Sequence, residues 1–165
     1  MRNAALRNIY RVGYWVLWAS SFVVKRSGRG AKCALINDGE LLLVRHTYGP
    51  REWDLPGGGA HRGEDALTAI RRELREELGV EVEDPTLLGV GGAGGRFAAA
   101  HVSYFTAALP DRSVRPDPVE IAEVAWCTPA TPPPGRLGLH ARQMLARHGE
   151  ALASPAGDPG SPTRG

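Results

Sequence analysis

The sequence is poor in cysteine, contains no long apolar run and has no acidic residue near its amino terminus. The two cysteines among 165 residues, Cys33 and Cys127, are too few for a disulfide-stabilised scaffold and lack the paired spacing of a zinc site. We predict that both are buried thiols. The apolar run at residues 12–24 has 13 uncharged residues, whereas a helix that spans a bilayer needs about 20. A polytopic membrane protein is therefore excluded, and ordinary proportions of hydrophobic (42%) and charged (23%) residues predict one globular domain.

The net positive charge is concentrated at the amino terminus. Residues 1–30 carry six Lys or Arg residues and no acid, whereas the remaining 135 carry 14 basic and 18 acidic residues, a formal charge of −4. This asymmetry argues against a protein that coats nucleic acid, and it predicts a basic arm joined to a mildly acidic domain. Lys25 and Arg26 stand where a secretory signal would have small residues, so we expect a cytoplasmic protein.

The role of this arm stays open between two alternatives. One is a helix that packs on its own domain or on a second copy of the chain, forming a homodimer through residues 3–26. The other is an interfacial helix that makes a peripheral membrane contact, because Trp15 and Trp18 are of the residue type that favours the membrane–water boundary.

The rest of the chain alternates extended and helical patterns. Asn37-Asp38-Gly39 separates two apolar runs and is a strong hairpin turn signal. A helical periodicity ends at Gly79, a residue type that favours the left-handed conformation after a helix. We predict strands at residues 31–36, 40–46, 80–90, 101–109 and 121–127, and helices at 65–78 and, after a proline-rich connector, up to about residue 148. This order predicts a mixed-sheet α/β domain over residues 31–150, followed by a disordered tail at 151–165.

Three glutamates of the first predicted helix lie near its apolar face. On an ideal helix the predicted core stripe lies between about 300° and 20° and consists of Leu67, Ile70, Leu74 and Leu78. Glu73, Glu76 and Glu77 lie at about 240°, 180° and 280°, so two of them border or enter the apolar edge. Like charges at this spacing repel each other unless a cation neutralises them. Oxygen ligands of this kind suit Mg²⁺ or Mn²⁺ better than zinc, although an acidic surface helix is an equal alternative.

The spacing of the whole segment from Gly58 to Val80 narrows these alternatives. The segment reads G-x5-E-x7-R-E-U-x-E-E-x-G-U, with U aliphatic, and its fixed positions are Gly58, Glu64, Arg72, Glu73, Leu74, Glu76, Glu77, Gly79 and Val80. This pattern resembles the Nudix box at every fixed position. The resemblance extends upstream through residues 53–58 and loosely downstream through residues 120–126, and it covers about residues 31–148.

The resemblance implies a Nudix-type α/β/α sandwich with a mixed sheet. It also implies an enzyme that hydrolyses a pyrophosphate bond in a small nucleotide or a nucleoside-diphosphate-linked molecule, with no nucleic-acid partner expected. Glu73, Glu76 and Glu77 would bind one or more Mg²⁺ or Mn²⁺ ions, and the carbonyl of Gly58 would complete the ligand set.

Further roles follow from the same resemblance. Arg72 would orient a carboxylate, with Glu64 as a second candidate partner near the helix start. The general base would be Glu76 or Glu77, or instead Glu120 from a loop outside the box. A plain helix-surface ion pair is a serious alternative for Arg72, and a plain loop acid is one for Glu120.

Substrate contacts are less evident from the sequence. Arg45, Arg51 and Trp53 lie just before the box and are predicted to line the cleft, because arginine suits phosphate oxygens and tryptophan stacks on bases. For Trp53 a core position beneath the loop is slightly favoured, and His46 is interpreted as structural. The alternative function is a non-catalytic Nudix module that senses a nucleotide and is recruited to a membrane by the arm. Because such a module is free to lose box carboxylates and this chain retains them, the sequence favours the enzyme.

Overall fold

The computed structural model describes residues 28–91, 101–128 and 130–153. Within these ranges it contains six strands and two helices: β1 (Arg29–Asn37), β2 (Glu40–His46), β3 (Trp53–Asp54), α1 (Ala66–Leu78), β4 (Thr86–Gly91), β5 (His101–Ala108), β6 (Ile121–Cys127) and α2 (Leu139–Ala153). Residues 1–27 of the predicted arm, most of the glycine cluster after β4 and residues 154–165 of the predicted tail lie outside the described residues. Among the described helices, none has the length and apolarity needed to cross a membrane.

The six strands form one mixed sheet. Its order is β3-β2-β1-β5-β4, and β6 pairs with β2. The β1–β5 pair is parallel, whereas the other pairs are antiparallel. The predicted hairpin is confirmed: Asn37 pairs with Glu40, and Asp38 (φ 48°) and Gly39 (φ 75°) form a turn with two left-handed residues.

A helix covers each face of this sheet, which confirms the α/β/α sandwich. On one face, α1 packs against β1 through a core that includes Cys33, Leu35, Ile70 and Leu74. On the other face, Met144 of α2 belongs to a second core with Leu43 and Trp53. Because alternate residues of a strand point to opposite faces, β1 contributes to both cores. Cys33 and Cys127 are free and buried as predicted, and burial raises the pKa of the Cys33 thiol to about 12.

Local signals fix the ends of α1. The carboxylate of Asp65 accepts a hydrogen bond from the amide of Thr68 at 2.8 Å, and Gly79 (φ 64°) ends the helix in the left-handed conformation. The prediction that Leu67 belongs to the core stripe is wrong, because its side chain is 39% exposed. The buried stripe is centred nearer Ile70 and Glu77, and Leu67 lies at its edge in the first turn.

The structure corrects three predicted boundaries. The strand predicted at 80–90 begins only at Thr86, since Val80 and Val82 are buried against the α1 core without pairing in the sheet. The second helix extends to Ala153, beyond the predicted end at about residue 148, so the prediction that the disordered tail begins at residue 151 is wrong for residues 151–153. The two-residue strand β3 within the glycine- and proline-rich loop was not predicted.

Candidate active site

The loop that precedes α1 is fixed to β1 by backbone hydrogen bonds. The amide of Cys33 donates to the carbonyl of Pro56 at 3.1 Å, and the amide of Ala31 donates to the carbonyl of Gly58 at 2.9 Å. Gly57 has a φ of 115°, and a Cβ at this position would lie 2.4 Å from the carbonyl oxygen of Ala31. Only glycine allows this close approach of the two backbones.

The same loop contacts two of the predicted metal ligands on α1. A Cβ on Gly58 would lie 2.7 Å from the carboxyl carbon of Glu73, so the bare glycine makes room for that carboxylate. The amide of Gly57 donates to Oε2 of Glu77 at 2.7 Å. The glycines therefore bring the loop backbone directly against the acidic face of the helix.

Arg72 uses all five of its N–H donors in this region. Its Nε and Nη2 bind the two carboxylate oxygens of Glu64 at 2.9 and 3.0 Å, and Nη2 also donates to the carbonyl of Gly59. Nη1 donates to Glu73 at 2.9 Å and to Glu76 at 3.0 Å. The hydrogen bonds from Arg72 lower the pKa of Glu64 to about 2. The structure thus brings together Arg72, Glu64 and two of the box glutamates.

Glu77 is the most deeply buried acid among the described residues, with 2% of its surface exposed. Burial raises the pKa of Glu77 to about 7, and the nearby charge of Lys32 and the Gly57 amide oppose that rise. A carboxylate in this position needs a compensating positive charge to stay ionised.

Glu120 reaches the site from outside the box. The amides of Arg115 and Asp117 donate to the carbonyls of Leu78 and Glu77 at 2.7 and 2.9 Å, so the segment before β6 caps the last turn of α1. Burial raises the pKa of the Glu120 carboxyl, and the neighbouring charges of Glu73, Asp117 and Glu76 raise it further. Glu120 therefore lies within electrostatic reach of the box carboxylates.

Two further residues at the site were missed or underrated by the sequence predictions. The ammonium of Lys32 donates to the carbonyls of Leu55 and Gly57 at 2.8 and 2.5 Å. The Nδ1 of His46 is buried 3.9 Å from Oε1 of Glu77, and burial lowers the pKa of His46 to about 4, so the ring is neutral. One sequence feature could have identified Lys32: it is the single charged residue within the predicted strand 31–36.

The predicted substrate-binding residues lie in a separate group, which we call the Trp53 cluster: Arg45, Arg51, Trp53, Glu123 and the carbonyl of Pro134. Arg45 lies 4.2 Å from the centre of the Trp53 ring and binds Glu123 at 3.0 Å. The indole Nε1 donates to Pro134 at 3.0 Å, and Trp53 is 4% exposed. Arg51 is exposed and lies 4.0 Å from Glu123. None of the contacts described for these residues joins them to the box glutamates, and their substrate role stays a prediction.

We define the acidic centre as Glu64, Glu73, Glu76, Glu77 and Glu120 with the cations Arg72 and Lys32. In the described part of the chain, no three acidic, histidine or cysteine side chains are already arranged around a metal position. Arg72 bridges Glu73 and Glu76 instead. One oxygen of each of these glutamates, and one of Glu77, accepts no hydrogen bond from described residues. Carboxylate oxygens beside a glycine cradle form a donor set that fits Mg²⁺ or Mn²⁺.

Comparisons with known proteins agree with this geometry. The chain matches the NUDIX domain family over residues 26–148. It is 40% identical over 52 residues to an RNA pyrophosphohydrolase of Teredinibacter turnerae, covering 32% of this chain and 30% of that protein. It is 35% identical over 80 residues to the RNA pyrophosphohydrolase of Aeromonas hydrophila, covering 48% of this chain and 39% of that protein. The chain thus spans less than half the length of these curated relatives.

A solved structure shows the same fold at somewhat lower identity. The crystal structure of a MutT NUDIX hydrolase from Burkholderia pseudomallei is similar with a TM-score of 0.64 and 27% identity, covering 72% of this chain and 95% of that one. The matched family segment contains the complete box and the loop that supplies Glu120, and it extends over well more than half of the 165 residues. The chain therefore belongs to the Nudix hydrolase family.

Proposed function

We propose that this chain is a divalent-metal-dependent hydrolase that cleaves a pyrophosphate bond in a nucleotide or a nucleoside-diphosphate-linked substrate. The observation that carries the proposal is that Arg72 and the Gly57 amide hold the four box carboxylates together beside the glycine loop. Family membership supports the same reaction class. Glu120 adds a fifth carboxylate whose charge interacts with those of Glu73 and Glu76.

Glu73, Glu76 and Glu77 would hold the metal ion or ions, together with the carbonyl of Gly58. That carbonyl has a second lone pair beyond the one used by the Ala31 amide. Mg²⁺ or Mn²⁺ supplies a water of lowered pKa and neutralises charge that develops on the pyrophosphate. The excess of carboxylates over cations at this site supports such an ion.

Other residues of the acidic centre would orient the metal ligands and deprotonate the attacking water. Arg72 would hold Glu73 and Glu76 by its Nη1 and would be fixed on its other edge by Glu64. The carboxylate of Glu120 would accept the proton of the attacking water, because its raised pKa is closer to neutrality than that of an ordinary glutamate. Glu77 is less suited to this role, since its Oε2 is held by the Gly57 amide. Glu76 stays the alternative base.

The substrate class has two candidates within this proposal. A small nucleotide derivative is the first, as the sequence predicts. The second candidate is the 5′ end of an RNA. The name of the curated relatives, RNA pyrophosphohydrolase, supports this candidate. A non-catalytic nucleotide sensor is disfavoured, because every carboxylate of the box is present and four of them contact either Arg72 or Gly57.

A hydrolysis assay tests the proposal. Purified protein is incubated with a panel of nucleoside triphosphates, ADP-ribose, sugar nucleotides and a short 5′-triphosphorylated RNA, each with and without Mg²⁺ or Mn²⁺. We expect release of a phosphate-containing product only with metal, and loss of that release in Glu76→Gln. Glu81→Gln is the matched control, because Glu81 is an exposed acid just beyond the box. Inertness of the wild type across the panel would refute the enzyme.

The predicted arm adds a separate proposal. Residues 3–26 would recruit the catalytic domain to a membrane surface or to a second copy of the chain. Liposome co-sedimentation and molecular mass, measured with and without residues 1–28, distinguish the two roles. A full-length chain that stays monomeric and never binds anionic liposomes would eliminate both.

A further inference from the structure

We propose that Lys32 is a positioning residue of the acidic centre, which holds the Gly57–Gly58 backbone in the conformation that binds metal. The inference rests on the proposed function and adds to it a residue outside the box. Lys32 would act through the loop, without touching the substrate.

The loop backbone shows what Lys32 contributes. Two of four successive carbonyls, those of Pro56 and Gly58, accept hydrogen bonds from backbone amides of β1. The other two, those of Leu55 and Gly57, alternate with them and are both bound by the Lys32 ammonium. In an extended segment successive carbonyls point in opposite directions, so one strand cannot satisfy all four with its amides. The side chain of Lys32 completes the set.

Gly57 links this anchor to the acids of α1. Its carbonyl accepts from Lys32, whereas its amide donates to Oε2 of Glu77. The next carbonyl along the chain is that of Gly58, the predicted backbone ligand. Rotation of the peptide units around Gly57 would therefore disturb the orientation of Glu77 and the Gly58 carbonyl together. Lys32 restrains that rotation.

The charge of Lys32 points to a role beyond packing. Across residues 28–91, 101–128 and 130–146, Lys32 forms no ion pair with a carboxylate, and its hydrogen-bond partners are the carbonyl oxygens of Leu55 and Gly57. A half-buried ammonium without an ion pair is costly when a neutral side chain could fill the same space. Its charge acts on Glu77, which lies on the opposite side of Gly57, as well as on His46 and His140.

The experiment compares Lys32→Met with Lys32→Arg and with the wild type. The dissociation constant for Mn²⁺ is measured by electron paramagnetic resonance, and thermal unfolding is recorded for each variant. We expect Lys32→Met to weaken Mn²⁺ binding by about 10- to 100-fold, the range for outer partners of metal ligands. The metal concentration for half-maximal hydrolysis should rise in parallel, while substrate KM at saturating metal stays unchanged. Lys32→Arg keeps the charge and should bind Mn²⁺ more tightly than Lys32→Met.

Arg112→Met is the matched control. Arg112 is a partly exposed cation that binds Asn37 and Glu40 at the far end of β1, away from the acidic centre. The Arg112→Met variant should have a lower unfolding temperature and an unchanged Mn²⁺ affinity. Equal Mn²⁺ affinity in Lys32→Met and wild type would overturn the inference, as would an equal loss in Arg112→Met. A wild type that binds no Mn²⁺ would instead overturn the proposed function.

A measurement on the wild type covers the case in which Lys32→Met does not fold. The ¹⁵Nζ resonance of Lys32 should shift when Mg²⁺ saturates the protein, because the ion would bind one residue beyond the carbonyl that the ammonium holds. The same resonance should not move with an equal ionic strength of NaCl. A Lys32 signal that is unchanged by Mg²⁺, in a protein whose other signals report binding, contradicts the inference.

Discussion

The acidic centre and the Trp53 cluster each surround an arginine, yet they differ in charge balance. Arg72 contacts three carboxylates, and the acidic centre as a whole contains five acids and two cations. Arg45 contacts one carboxylate and an indole ring, and with Arg51 the Trp53 cluster has two cations for one acid. The first group lacks positive charge, whereas the second has an excess of it, and the Nε of Arg45 is buried without a hydrogen-bond partner among the described residues.

This difference is the one we expect between the proposed metal site and a cluster that stabilises the fold. Buried acids that repel one another stay together at a functional site when a bound cation offsets the repulsion. A cation that lies over a buried tryptophan and binds a carboxylate is stabilised by both contacts. Variants in the acidic centre should therefore alter metal binding and turnover, and variants in the Trp53 cluster should alter stability.

The largest expected effect is on turnover in Glu120→Gln. If Glu120 accepts the proton of the attacking water, its amide should lower kcat by about 10²- to 10⁴-fold, the contribution of a general base. Mn²⁺ affinity should change far less, because the box glutamates remain. Steady-state kinetics and metal titration on the same preparation measure both. Glu123→Gln in the Trp53 cluster is the control and should retain kcat; full activity in Glu120→Gln would assign the base to Glu76.

Two glycines offer a comparison of backbone constraint in the two regions. Gly57→Ala should cost about 3 kcal/mol of unfolding free energy, since its Cβ would meet the backbone oxygen of Ala31 at 2.4 Å with φ at 115°. Gly135→Ala in the loop beside Arg45 should cost about 1 kcal/mol. Its φ is also positive, at 119°, but its nearest neighbour is the movable end of Arg45 at 3.1 Å. Urea unfolding of both variants measures the two costs. Equal costs would show that the loop before α1 is no more constrained than the loop at Gly135.

A smaller effect is expected from acid on the Glu64–Arg72 pair. The folded-state pKa of Glu64, about 2, lies below its usual 4.5, so the pair stabilises the protein above about pH 4.5 and loses this contribution as pH falls towards 2. Glu64→Gln should cost about 1–2 kcal/mol at pH 7 through lost charge-assisted hydrogen bonds. The difference from wild type should vanish near pH 2. Denaturant unfolding between pH 2 and 7 provides the test, and a cost independent of pH would contradict it.

Local signals made much of the fold and part of the site predictable. Asn37-Asp38-Gly39 identifies the hairpin, and Asp65 and Gly79 identify the ends of α1, because turn and cap chemistry involves neighbouring residues. The box spacing places Arg72 near Glu76 one helical turn away.

Contacts between distant residues were not predictable in the same way. The carbonyls that bind Lys32 lie 23 and 25 residues further along the chain. The carbonyl that binds the Trp53 indole lies 81 residues away. No periodicity or spacing within a strand encodes such partners, since they depend on how the loops pack in the finished fold. For this reason the sequence predicts neither the carbonyl partners of Lys32 nor the contact between the Trp53 indole and Pro134.

The smallest expected effect is that of Arg45→Lys. Lysine keeps the charge but loses the planar guanidinium that lies over Trp53 and binds both Glu123 and Pro134. We expect a loss of about 0.5–1 kcal/mol in unfolding free energy, with substrate KM and kcat unchanged. Urea unfolding and steady-state kinetics on the same sample separate the two readouts. An increase in KM with unchanged stability would instead support substrate binding by Arg45, as its sequence position predicts, and the Trp53 cluster would then belong to the cleft.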